Sequence, residues 1–348
     1  QSVAVQRVQP ATSTWLYHKQ WDLTFIIFSA VLVPLPLIIY YQLMALGVSA
    51  SNALTVINLL VALVVGGPHM YSTYTLTFAD PNFRRRYPLF VAGAVLIPIG
   101  VISLAVFDLT ILLTVFMFWA SIHVLHQIAY LVDCYRAKQG EHGLWSRALD
   151  YAVIFSSLYP FATYRLIITN DFIIDEKHIQ VPAFLRISEL VWLVWVFFFT
   201  VLALFIARTV VEARQGRLNV PKVLLMSVTI VLAFVVPTLP DLSVAFQGMN
   251  TWHSLQYLAL VWYINKLRKE RDEIGSEVVR GLAGEGRTWR FYLFHTGVTV
   301  LAGVVIGGVY FLSGLRLEQA YYIVVLSSLL VHYYVDHLLF TRVDNLVR

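Results

Sequence analysis

An all-α fold is predicted for this chain: a polytopic membrane helix bundle of about ten transmembrane helices, with both termini cytoplasmic. Three observations predict it. Of the 348 residues, 59% are hydrophobic and 13% charged, with a mean hydropathy of +0.71, whereas soluble domains carry about 25% charged residues. Ten apolar runs are long enough to meet the roughly 20 residues that a helix needs to cross a bilayer. The Lys and Arg residues concentrate in alternate connections between those runs, which is the asymmetry that orients membrane proteins.

A polar segment, residues 1–21, comes first and lacks the apolar stretch of a cleavable signal peptide. The runs then follow at about 22–48, 53–78, 88–106, 109–135, 148–169, 184–208, 221–238, 241–266, 289–313 and 317–341. Arg84, Arg85 and Arg86 follow the second run, and Arg136, Lys138 and Arg147 follow the fourth. Arg208, Arg214, Arg217 and Lys222 follow the sixth. The intervening connections are short or acidic, as at Asp171, Asp175 and Glu176. Pro237 and Pro240 break the seventh run from the eighth in a tight external turn. Residues 265–290 are expected to form a solvated cytoplasmic loop, a helical extension and then a Gly-containing stretch. No internal repeat is apparent, so residues 1–348 are taken as a single integral membrane domain.

The net charge of +5 and the pI near 9.2 reside in these short loops. They are therefore read as topology rather than as a nucleic-acid surface, and membrane lipid is the expected partner. A single Cys, Cys134, rules out an internal disulfide and a Cys-rich metal site. Any metal must be held by nitrogen and oxygen.

His69, His123, His126, His253, His332, Asp336 and His337 fall inside the apolar runs. An ionisable side chain at membrane depth is costly unless it is paired or bound, so each marks a candidate functional site. A lone membrane histidine is more often hydrogen-bonded glue between helices. Here, however, six histidines and an aspartate share four helices, and a metal is the readiest reason to gather imidazoles in a dry bundle. His69 follows Gly66, Gly67 and Pro68, which loosen a helix beside a buried cavity. His123 and His126 share a helical face with Gln127 beside them, and His332 and Asp336 share another. His337 points about 140° away from His332. Gln256 and Tyr257 fall on the face of His253. Counted from the cytoplasmic ends, His69, His123 and His253 sit about 20 Å up, and His126 and His332 roughly 14 Å. His18, His142, His178 and His295 are assigned to loops or helix ends with no site role. Asp241, Glu189 and Arg165, near helix ends, are read as topological or structural.

These residues carry a resemblance. Gly67-Pro68-His69 looks like the Gly-x-Pro-His stretch of the bacterial Brp/Blh family of membrane β-carotene dioxygenases. Ser121-Ile122-His123 resembles its second histidine segment, and His253-Ser254 followed by Val261-Trp262 resembles its third. Gly307-Gly308-Val309-Tyr310-Phe311, the helix bearing His332 and an aspartate, and then Phe340 and a basic residue are similar to its C-terminal part. The resemblance covers the second, fourth and last three helices. It implies a polytopic protein of the bacterial inner membrane that holds non-haem iron with histidines and cleaves a polyene with O2 to retinal. It also implies His69, His123 and His253 as ligands, with His332 matching a further family histidine. The chain departs from the pattern in three ways. Tyr257 stands where the family has another histidine. Thr73 or Tyr74, and Gln127 or Ile128, replace the aspartates that follow its first two. His126 and His337 are additions.

Imidazole ligands with positions left open suit Fe(II), one or two ions, with zinc and haem ranking behind iron. O2 partitions readily into lipid, whereas hydrolysis would need water delivered to a dry site. The expected function is thus a membrane-embedded non-haem iron oxygenase acting with O2 on an apolar, lipid-dissolved substrate. The candidate metal ligands are His69, His123, His126, His253, His332 and His337. Tyr257 and Asp336 are the candidate catalytic side chains, and Tyr333 and Tyr71 could orient substrate. Gln127 and Gln256, with Asp336, are expected to hydrogen-bond the outer ring nitrogens. Three alternatives stay open: a diiron lipid hydroxylase or desaturase, a haem- or chlorophyll-binding subunit, and a histidine-relay transporter. An electron donor or a larger membrane complex is a further expected partner.

Overall fold

A computed structural model describes residues 14–174 and 177–347. Residues 1–13 of the polar segment, and Asp175 and Glu176, lie outside the described residues. Ten long helices follow in order: α1 (Lys19–Ala45), α2 (Ala50–Leu76), α3 (Pro88–Phe107), α4 (Leu109–Gln139), α5 (Leu144–Thr169), α6 (Ser188–Arg214), α7 (Val220–Thr238), α8 (Leu242–Glu270), α9 (Thr288–Ser313) and α10 (Leu317–Leu339). The strands among the described residues are the short hairpin of Ile173–Ile174 against Lys177–His178. The chain is an all-α bundle, and its long apolar helices make it an integral membrane protein.

Nine of the described helices are long and apolar enough to cross a membrane. The sequence predicts ten such spans, and the difference is α8. It has 29 residues but is more polar than the rest. Its position explains its composition: α8 packs against α1, α2, the end of α7 and α9, and its side chains from Leu258 to Ile264 are all buried. A helix enclosed by other helices can carry polar groups that find partners there, at a cost that a lipid-facing helix could not bear.

Prolines and caps set the local shape. Asp108 and Asp241 cap α4 and α8, accepting from the backbone N–H groups of Ile111 (3.0 Å) and Val244 (3.1 Å). Gly140, at φ +71°, ends α4 in the left-handed conformation. In α2 the loosening expected at Gly66, Gly67 and Pro68 takes the form of a widened turn over Ala62–Gly66, closed by the Gly67 N–H on the Ala62 carbonyl. Pro68 has no N–H to offer the Val64 carbonyl four residues back. The Tyr292 hydroxyl of α9 donates to that carbonyl instead, at 2.7 Å. Arg165 ties the end of α5 to the turn before α8 through the Leu239 carbonyl (2.8 Å) and also pairs with Asp171 just beyond α5 (3.0 Å). Together with the Asp241 cap, this bears out a structural role for both residues.

Cross-links between connections show which of them share an end of the bundle. Tyr17 donates to Glu285 (2.9 Å), Asn82 to the Glu273 carbonyl (3.2 Å) and Gln139 to the Arg217 carbonyl (2.9 Å). Arg268 pairs with Asp80, and Arg342 meets Tyr87. The cation-rich connections and the chain beyond α10 therefore gather at one end. The hairpin lies at the other, where Lys177 pairs with Glu318 at 3.2 Å.

At the cation-rich end a buried charge network clamps α4, α5, α6 and α7. Asp150 pairs with Arg136 (3.0 Å), Arg208 and Lys222 (3.8 Å), while Glu141 takes Arg136 (2.9 Å) and Lys222 (3.1 Å). Burial pushes the Glu141 carboxyl up, but the Ser146 hydroxyl, Lys222 and Arg136 outweigh it and hold the group below its ordinary value of 4.5. A depressed carboxylate stabilises the fold above its unfolded-state value, and that contribution fades as pH falls through the folded one. Thermal unfolding in detergent should therefore show stability declining below about pH 4.5, where the ordinary carboxylate titrates. Glu141→Gln should flatten this decline, and an unchanged acid slope in that variant would sink the assignment.

Candidate metal centre

Four helices deliver one imidazole each to a common point. His69 lies in the turn of α2 just past the widened segment, His123 on α4, His253 on α8 and His332 on α10. Their relative exposures are 2%, 1%, 3% and 0%. The rings form a closed circuit: His69 to His253 at 5.2 Å between centroids, His253 to His123 at 5.0 Å, His123 to His332 at 4.8 Å and His332 to His69 at 4.9 Å. Each meets the next edge to face.

Most of their ring nitrogens make no hydrogen bond. His69 Nε2, His123 Nε2 and both ring nitrogens of His253 and His332 are buried without a hydrogen-bond partner. Such orphaned groups each cost on the order of 1–3 kcal/mol, and buried polar atoms are nearly always paired. Six orphaned nitrogens in one circuit therefore require an explanation, and a shared cation supplies it. Ligand atoms of His69, His253 and His332 lie within 4.8 Å of one another, and so do those of His123, His332 and Asp336. Imidazoles on one ion, with metal–nitrogen bonds of about 2.1 Å, have adjacent ring centres roughly 4.5 Å apart at right angles and roughly 5.2 Å at tetrahedral angles. The observed 4.8–5.2 Å spacings fall in that interval.

Asp336, 0% exposed, closes the site on the α10 side. Its Oδ1 accepts the Tyr257 hydroxyl at 2.7 Å and the Thr73 hydroxyl at 2.8 Å. Its Oδ2 has no hydrogen bond and lies 3.4 Å from His332 Nδ1 and 3.9 Å from His123 Nε2. One carboxylate oxygen is thus anchored and the other offered to the histidines. Tyr333 stacks on His123 with centroids 4.1 Å apart.

Several expectations need correction. His126 and His337 stand apart from the circuit: they face each other at 5.3 Å between centroids, and His337 Nε2 accepts the Trp119 indole N–H at 3.2 Å. Phe340 lies between His126 (5.3 Å) and His123 (5.8 Å). Three residues along a helix turn a side chain 60° off the face of His123 and drop it about 4.5 Å, which suffices to take His126 out of the site. Gln127 and Gln256 do not hold ring nitrogens. Gln127 donates to the His253 carbonyl (3.3 Å) and to the Gln256 side-chain oxygen (3.1 Å), and Gln256 donates to the Ile26 carbonyl. Both therefore tie α4, α8 and α1 together. Tyr71 packs on Tyr74 at 6.2 Å and makes no described ring contact with the four imidazoles. His295 is not at a helix end but inside α9, buried, with Nδ1 against the Phe291 carbonyl at 2.7 Å.

Two partners escaped the sequence reading. Ser254 lies 2.9 Å from His69 Nδ1, and nothing in the sequence pairs these two helices. Thr73 anchors Asp336, and its place four residues after His69 on the same helical face was a usable signal. No protein-family model, no characterised protein and no solved structure matches this chain.

Proposed function

We propose that the chain is a histidine-ligated non-haem iron oxygenase of the membrane, acting with O2 on an apolar substrate dissolved in the lipid. The observation that carries this reading is the convergence of buried, partnerless imidazole nitrogens with a half-anchored carboxylate. Such a nitrogen and oxygen donor set suits iron, zinc or copper. The location among apolar helices favours a reaction whose co-substrate dissolves in lipid, and hence iron with O2. His69, His123, His253 and His332 would hold the iron, which supplies the redox-active centre where O2 meets the substrate. A carotenoid cleaved to retinal, in a bacterial inner membrane, is the substrate and setting that the Brp/Blh resemblance suggests.

The chain's own groups have definite tasks in this scheme. Asp336, held by Tyr257 and Thr73, presents Oδ2 to His332 Nδ1 at 3.4 Å. That contact can draw a proton onto Nδ1 and leave Nε2 as the donor, as carboxylates do behind metal-bound histidines. Tyr257 is therefore a positioning residue through Asp336. Tyr333 fixes the plane of His123, and the surrounding side chains exclude water. One ion is favoured over two, because both candidate ligand sets share His332, and a neutral imidazole has one lone pair to give. A tetrapyrrole is disfavoured, since a ring placed between two opposed imidazoles would collide with the other two.

The test is elemental analysis and an absorbance spectrum of protein purified in detergent without chelators, for wild type and His123→Ala, with retinal formation from β-carotene in vesicles under O2. About one iron per chain, lost in the variant and without a Soret band, is expected. Metal-free wild-type protein would overturn the metal reading, and a Soret band would replace it with the haem reading. Bound iron without polyene cleavage would keep the centre and refute the carotenoid.

A further inference from the structure

A row of neutral amides crosses the bundle and ends on His69. Gln247, Asn250 and Ser254 lie at i, i+3 and i+7 on α8 and share one face. The contacts run in one direction. Gln247 Nε2 donates to Asn58 Oδ1 of α2 at 2.8 Å, Asn250 Nδ2 to Gln247 Oε1 at 3.2 Å, and the Ser254 hydroxyl to Asn250 Oδ1 at 3.1 Å. Ser254 Oγ is in turn 2.9 Å from His69 Nδ1.

A serine has one proton, and Ser254 has given it to Asn250. Towards His69 it can only accept, so the hydrogen at that contact belongs to Nδ1.

We propose that Asn58, Gln247, Asn250 and Ser254 form a positioning relay that holds His69 as the Nδ1–H tautomer, with its Nε2 lone pair aimed into the imidazole circuit. The proposal rests on reading that circuit as a metal centre. It explains why α8 carries three uncharged polar residues on one face where apolar packing would serve a merely structural helix. Reversing any one amide would let Ser254 donate to His69 and would turn a proton, rather than a lone pair, towards the metal.

The test uses metal-free protein with 15N-labelled histidine, in which the protonated and bare ring nitrogens have distinct shifts, and His69→Gln assigns the signal. Wild type should show His69 protonated at Nδ1. Asn250→Leu frees the Ser254 proton, so His69 should shift towards the Nε2–H form. Fe(II) or Co(II) affinity should then fall about 10- to 100-fold, the usual effect of losing a group behind a ligand. Asn250→Asp, neutral when buried, can still accept from Ser254 and donate to Gln247, and should keep both the tautomer and affinity within about threefold of wild type. A wild-type His69 carrying its proton on Nε2, or an Asn250→Leu variant that keeps Nδ1–H, overturns the relay. So does an Asn250→Asp variant that behaves like Asn250→Leu. The tautomer is read without metal, so a failure of the metal reading is seen separately, as wild-type protein that binds no Fe(II) or Co(II).

Discussion

His332→Leu should weaken metal binding by at least about 100-fold, beyond the 10- to 100-fold typical of groups that only support a ligand. His332 is the one side chain shared by both candidate ligand sets, so no rearrangement of the other histidines restores either set. The same substitution should leave the metal-free protein as stable as wild type, or slightly more so. Both His332 nitrogens lack hydrogen bonds, and replacing buried polar atoms that make none with an apolar side chain of similar size relieves their desolvation. Loss of function without loss of stability marks a residue kept for chemistry. The control is His337→Leu, five residues on, where affinity should stay within about threefold because its ring faces His126 and Trp119. Titration of Fe(II) or Co(II) into the purified variants measures both. If His337→Leu strips the metal as completely as His332→Leu, the division into a four-histidine centre and a separate pair is wrong.

Gly248→Ala should be the most damaging single methyl in the bundle. A Cβ at Gly248 would lie 2.0 Å from the Val33 carbonyl oxygen and 3.0 Å from its carbon. The obstacle is backbone, so no rotamer change relieves it, and α8 would have to move off α1. Overpacking a tight core costs about 1–3 kcal/mol and occasionally more, and a backbone clash belongs at or above the top of that range. Because α8 carries His253 and Tyr257, metal affinity should fall together with the unfolding temperature. Gly303→Ala on α9 is the comparison. Nothing lies within 4 Å of its Cβ position, and alanine gains up to about 1 kcal/mol over glycine in a helix, so stability should hold or rise slightly. Thermal unfolding in detergent reads both, and equal stability of Gly248→Ala and wild type would refute the close contact between α8 and α1.

Composition, run length and alternating loop charge were sufficient for an all-helical membrane bundle, because a lipid-facing helix must be apolar over a fixed length whatever its neighbours. The site histidines were legible for the same reason: an imidazole in such a run is conspicuous, and His69, His123, His253 and His332 do meet. The polarity of α8 is the exception, because burial among other helices relaxes the rule that made the other nine stand out.

What a one-dimensional pattern could not supply was the division of the six histidines. Depth along each helix placed His126 level with His332, yet the site takes His332 and leaves His126, because depth says nothing of the direction in which a ring points once helices rotate against each other. Gln127 and Gln256 were near the right histidines in sequence and still bonded backbone carbonyls and each other. By itself the sequence determined the solvent this chain lives in and the residue types that solvent would not tolerate without a purpose. Only the tertiary structure decided which of them share a centre, since helical periodicity specifies faces within one element, while contact between faces is set by packing among all of them.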